Sequence, residues 1–115
     1  MIRRLVDGLA SRPEIAGVAV ISGDGLVIEQ ALGHDADADA IAALTTTIAR
    51  HGHELGTATG RGFLGATVFD FANGPAVMTH FADGMSMILL ARPDADLGEV
   101  LYLLRRQRDE IAGLL

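Results

Sequence analysis

His51, His53 and Glu54, with His80 far along the chain, are residue types that hold a divalent metal. A zinc site needs three or four such ligands converging on one point. On a helix, which turns by about 100° per residue, His51 and His53 point roughly 200° apart. Only His51 and Glu54 share a side, so no metal is expected unless a second subunit completes the set. Asp35, Asp37 and Asp39 suggest a calcium loop. They lack the Gly at the bend and the terminal bidentate Glu that such a loop requires, and they read instead as the cap of a helix. The glycine-rich run Gly56-Thr57-Ala58-Thr59-Gly60-Arg61-Gly62 resembles a phosphate loop in composition. A phosphate loop needs a lysine and runs from strand into helix. This chain has no lysine, and the run leaves a helix to enter a strand, so a flexible connection is expected. There is no cysteine, no serine in a nucleophile-elbow setting and no carboxylate pair placed for acid–base work. No catalytic residue, no cofactor and no enzymatic activity of the chain by itself are expected.

Composition narrows the partners. The 115 residues carry a net charge of −6, from fifteen acidic and nine basic side chains, and every basic one is arginine. An acidic chain without a basic patch lacks the footprint that draws proteins to nucleic acid. Arg105, Arg106 and Arg108 fan around a helix and read as a solvated face. No apolar run approaches the ~20 residues of a membrane span. Downstream of Arg3 and Arg4 the chain is interrupted by Asp7, Gly8, Ser11 and Arg12, so no secretory signal is expected and the location reads as cytoplasmic.

Three Asx-Gly pairs, Asp24-Gly25, Asn73-Gly74 and Asp83-Gly84, sit between short apolar runs, a strong hairpin signal. They join strands over 17–22 and 26–31, and chain strands over 63–71, 75–81 and 85–91. Helical periodicity fills the rest, giving helix, hairpin, helix, three-stranded meander, helix in one α+β domain spanning 1–115. Several strands are apolar on both faces and need cover on both. In the middle helix Ile41, Leu44, Ile48, Gly52 and Leu55 form the expected sheet-facing stripe. Beside it runs a flank of mostly small residues, Ala42, Thr46, Ala49 and His53. This flank admits a close helix contact, or it reflects nothing beyond the helix propensity of alanine. Ala43, Thr47, Arg50 and Glu54 point away from the sheet. The last helix opens on a capping box, Asp96 to Glu99, and buries Leu97, Val100, Leu101, Leu104 and Ile111, with Arg108 interrupting that stripe. The third strand places Leu64, Ala66 and Val68 on one face and Phe63, Thr67, Phe69 and Phe71 on the other. At a sheet edge it would be a template for another strand, from the first hairpin or from a second copy.

The segment Gly17-Val18-Ala19-Val20-Ile21-Ser22-Gly23-Asp24-Gly25-Leu26-Val27-Ile28, the later Asp83-Gly84 and the helix entry Pro93-Asp94-Ala95-Asp96-Leu97-Gly98 together resemble the Roadblock/dynein light chain family over nearly the whole chain. The resemblance implies a five-stranded antiparallel sheet of order 2-1-5-4-3, with the middle helix on one face and the terminal helices on the other. It also implies a homodimer through the third strand and middle helix, making a ten-stranded sheet. The residues expected at that interface are Ala42, Thr46, Ala49, His53, Leu64, Ala66 and Val68. The implied role is a platform for a Ras-like small GTPase, whose activity bacterial relatives of this type stimulate. Ala43, Thr47, Arg50 and Glu54 are the expected contacts. Arg50 is a candidate to pair with the GTPase, to act as an arginine finger, or merely to pair with Glu54 within the helix. The alternatives are a scaffold or light chain joining larger proteins and a sensor built on the related PAS strand order.

Overall fold

Two hairpins close through three-residue loops in which glycine alone takes the left-handed conformation. Around Asp24-Gly25, the Ser22 N–H donates to Leu26 O at 2.9 Å and the Gly25 N–H to Ser22 O at 3.0 Å, with Gly25 at φ +82°. Around Asp83-Gly84, Phe81 N–H donates to Met85 O at 2.9 Å and Gly84 N–H to Phe81 O at 3.0 Å, with Gly84 at φ +90°. Both are turns followed by a glycine bulge. The middle hairpin differs: Phe71 pairs with Gly74, so Ala72-Asn73 forms the loop and Gly74 already belongs to the strand. A side chain at Gly74 would meet the carbonyl of Ala91 at 2.6 Å, which explains the glycine there.

The computed structural model describes residues 1–114. Its elements are α1 (Ile2–Ala10), β1 (Ile15–Ile21), β2 (Val27–Ala31), α2 (Ala38–Ala58), β3 (Ala66–Phe71), β4 (Gly74–His80), β5 (Ser86–Ala91) and α3 (Leu97–Leu114). The strands form one sheet, antiparallel at every pairing, in the order β2-β1-β5-β4-β3. The expected α+β architecture and strand order are therefore present. β3 starts at Ala66 and not at Phe63, because the Leu64 N–H is directed to His53 Nδ1 on α2 and not to a neighbouring strand.

Alternation along the strands divides the core in two. Val18, Val20, Val77, Met87 and Leu89 pack with Val6 and Leu9 of α1 and Val100, Leu104 and Ile111 of α3. Ala19, Ile21, Met78 and Ile88 face α2. Helix boundaries follow local chemistry: Asp37 accepts the Ala40 N–H at 3.1 Å, and Asp96 accepts the Gly98 and Glu99 N–H groups at 2.9 and 3.3 Å.

The rotation of α2 corrects the sequence reading. The helix meets the sheet through its smallest residues: Ala42 and Thr45 are fully buried, while Leu44 is 58% and Leu55 64% exposed. Ile41 and Ile48 remain half-buried at one side. A helix lying low over Ala19 has room for alanine and threonine beneath it, not for leucine, so the large side chains turn outward.

Candidate self-association and partner-binding surface

β2 and β3 are the two sheet edges, and the chain treats them differently. At β2, Arg3 Nη1 donates to Gln30 O at 2.9 Å and pairs with Glu29 at 3.1 Å, while the same guanidinium pairs with Asp7. Charge and a satisfied carbonyl blunt that edge. Among the described residues no side chain caps a main-chain group of β3 itself. Ala66 and Val68 stand exposed along it.

Beside that edge lies an apolar groove. Ile41, Leu44 and Ile48 of α2 form one wall, Phe69 and Phe71 of β3 the other, and Ala76, Met78, Ile88 and Leu90 the floor, around about 210 Å³. It exists because α2 packs closest to β1, β2 and β5, and on the β3–β4 side of that sheet face it covers the His80 end and leaves the Phe69–Phe71 end open. The Phe69 and Phe71 rings stack with centroids 5.6 Å apart, and Phe71 is 59% exposed. Burying the part of Leu44 or Phe71 that is still exposed is worth about 1–2 kcal/mol each, which favours covering this surface.

The small-residue flank expected at a dimer interface is mostly turned inward. Ala42 has no exposed surface to offer. Thr46 lies over Gly25 and donates to Ala42 O at 3.2 Å. Ala49 is half-buried, and His53 leans on Phe63 at 5.0 Å between ring centroids. Leu64 is half-buried against Gly52. Of the expected set, Ala66 and Val68 are the exposed members, and the groove beside them is lined by Ile41, Leu44, Ile48, Phe69 and Phe71, which the sequence did not group together. The signal that could have found them is the small series Ala42, Thr45, Ala49, Gly52 and Gly56 at helical spacing, which marks the side of closest approach.

Ala43, Thr47, Arg50 and Glu54 all face solvent. Arg50 forms no pair with Glu54, which instead lies 3.4 Å from His51 Nδ1. The residues weighed as metal ligands separate: His51 points outward with Glu54, while His53 and His80 point inward. Among the described residues no three metal-binding side chains gather.

The glycine-rich run is an ordered helix terminator, not a flexible connection. The N–H of Gly60 donates to Thr57 O, and those of Arg61 and Gly62 both donate to Gly56 O. Gly60 and Gly62 take φ +67° and +81°. Those three amides are therefore engaged and not turned to a phosphate.

His80 is fully buried, 3.0 Å from Thr67 Oγ1 and 3.0 Å from Ser86 Oγ. Burial first, then the charges of His53 and Arg108, push its imidazole down from 6.5 to about 4. Arg108 is not part of a solvated face as expected. Its guanidinium crosses Phe81, 5.4 Å from the ring centroid, and donates to the carbonyls of Gly65 and His80. The interruption of the α3 stripe is therefore a polar tie to the start of β3.

Comparison with known proteins agrees with this geometry. A family model described as the Roadblock/LC7 domain matches residues 1–91. A search of curated proteins returns no match. Among solved structures, MglB of Myxococcus xanthus superposes with a TM-score of 0.89 at 18% identity, covering 98% of this chain and 93% of that one. A Roadblock/LC7 domain from Streptomyces avermitilis gives 0.78 at 26% identity, covering 95% and 96%. The gliding protein MglB of Thermus thermophilus gives 0.80 at 16% identity, covering 95% and 84%. With the strand order, the helix placement and the family match in agreement, the chain belongs to the Roadblock/LC7 domain family.

Proposed function

We propose that two copies of this chain join through β3 and the α2 side of the groove, and that the resulting dimer is a binding platform and regulator for a Ras-like small GTPase. The observation that carries the reading is the unguarded β3 edge lying directly beside an apolar groove, both on the side that α2 leaves open. A second β3 running antiparallel would satisfy the free main-chain groups and extend the sheet to ten strands. A second α2 would bring its own Leu44 and Ile48 over Phe69 and Phe71. The family membership and the MglB-like fold favour the GTPase among possible partners.

The partner face is the outward side of α2, where Ala43, Thr47, Arg50 and Glu54 present a polar surface next to the self-association groove. Arg50, with no carboxylate in ion-pair contact among the described residues, can meet an acidic switch segment or, as a finger, the phosphates. The chain supplies position and charge and no nucleotide chemistry of its own. The scaffold reading keeps the same dimer and replaces the GTPase by a larger structural protein.

Light scattering together with co-elution tests the reading. A dimer at micromolar concentration that retains a Ras-like GTPase loaded with a non-hydrolysable GTP analogue, and releases it in the GDP form, supports it. A monomer, or retention indifferent to the nucleotide, defeats it. Stimulated GTP turnover separates activation from binding alone.

A further inference from the structure

His80 joins three strands from below α2: its ring meets Thr67 of β3 and Ser86 of β5, both at 3.0 Å. His53 descends from α2 onto the same point, the two ring centroids 6.1 Å apart and steeply inclined. His53 Nδ1 accepts the Leu64 N–H at 3.4 Å. From the other face of the sheet, Arg108 of α3 donates to the carbonyls of Gly65 and His80. Residues 64–67, which lead into the β3 edge, are therefore held by two imidazoles and one guanidinium.

These bonds need the rings in particular protonation states. His53 Nδ1 accepts only while it carries no proton, and a neutral His80 has one donor and one acceptor to match to two hydroxyls. The groups facing the pair are Thr67 from β3, Ser86 from β5 and Arg108 from α3, two neutral and one positive. On α2 itself, Glu54 is engaged with His51 on the outward side. Among the described residues no carboxylate is in ion-pair contact with either ring. A proton arriving here breaks an acceptor and adds like charge beside Arg108 with nothing to offset it.

We propose that His53 and His80 form an acid-opened latch on the β3 edge, whose protonation releases residues 64–67 from α2 and β4 and weakens self-association before the rest of the sheet opens. The consequence for self-association rests on the function proposed above, whereas the latch stands on the contacts within one chain. Thr67 links the histidine pair directly to β3, so the edge offered to a second copy is the first element to lose its support.

Amide hydrogen exchange on the full chain, corrected for the intrinsic effect of pH and followed from pH 7 to pH 5, tests this. The Leu64 and His80 amides should lose about tenfold more protection than amides of the β1–β5 pairing, a local opening of the kind that precedes global unfolding. In His53→Asn the side-chain oxygen can replace Nδ1 as acceptor without titrating, and the extra loss should shrink severalfold. An equal loss in both proteins, a uniform loss across the sheet, or no loss overturns the latch. Should His53→Asn not fold, the natural protein decides: loss of Leu64 and His80 amide protection ahead of the β1–β5 amides supports the latch, and a loss that tracks those amides overturns it. Mass measured in the same samples keeps the two readings apart. A monomer at pH 7 defeats the dimer and leaves the exchange result to judge the latch. A dimer that persists at pH 5 after Leu64 protection is lost overturns the link between latch and association.

Discussion

Gly56 on α2 stands against the carbonyl oxygen of Gly62, so that a methyl group on Gly56 would overlap a main-chain atom of the loop it caps. Gly52, one turn earlier, faces only the movable tip of the Leu64 side chain. The two glycines share a helix face and a common exposure yet differ in what a side chain would meet.

Gly56→Ala should therefore destabilise the protein by about 1–3 kcal/mol despite the better helix propensity of alanine, because main chain cannot yield as a side chain does. Gly52→Ala should stay within about 1 kcal/mol of the natural protein, the gain in propensity of up to about 1 kcal/mol offsetting a rotation of Leu64. Urea unfolding of the two variants measures the contrast, and equal effects would refute it.

Leu44→Asp should abolish self-association while changing the stability of the isolated subunit little, by about 0.5 kcal/mol or less, because Leu44 is largely exposed. Ala42→Asp should instead unfold the subunit, since it places an unpaired charge against Ala19 and Ile21. Sedimentation mass and circular dichroism together distinguish loss of the interface from loss of the fold.

Arg50→Ala should leave the dimer mass and the melting temperature unchanged, as its side chain is exposed and unpaired with Glu54. Weakened GTPase retention marks it as a contact. Turnover lowered by about 10³-fold or more with retention intact marks a finger. An Arg50→Ala, Glu54→Ala double variant with unchanged retention and turnover moves the docking surface off this side of α2.

Stability should fall as the solution is acidified below neutrality. His80 is held down to about 4 against an ordinary 6.5, so between these values the unfolded chain takes up a proton that the folded one refuses. The contribution of a neutral His80 is complete above pH 6.5 and is lost as the pH falls toward 4, with a slope of at most about 1.4 kcal/mol per pH unit. Denaturant midpoints at pH 7, 6 and 5 give the slope. A His80→Gln variant that folds should lose most of it.

Much of the architecture was legible in the sequence because it is set by neighbours in the chain. The Asx-Gly pairs need only a few adjacent residues to turn, and Asp37 and Asp96 cap amides three positions away. Apolar residues on both faces of β1 and β5 called for cover on both sides of the sheet. What tertiary structure alone decided is the rotation of α2, which depends on how low the helix can settle over Ala19. Hydrophobicity assigned Leu44 and Leu55 to the core, whereas packing gave that place to Ala42 and Thr45 and left the leucines outside. The contacts of His80 and Arg108 were beyond reach for the same reason. His80 meets Thr67 and Ser86 only because β3, β4 and β5 lie side by side, and Arg108 reaches Gly65 from 43 positions away only once α3 lies across the sheet. Local chemistry wrote the order of the elements, and the close packing of helix on sheet chose which side chains remain for a partner.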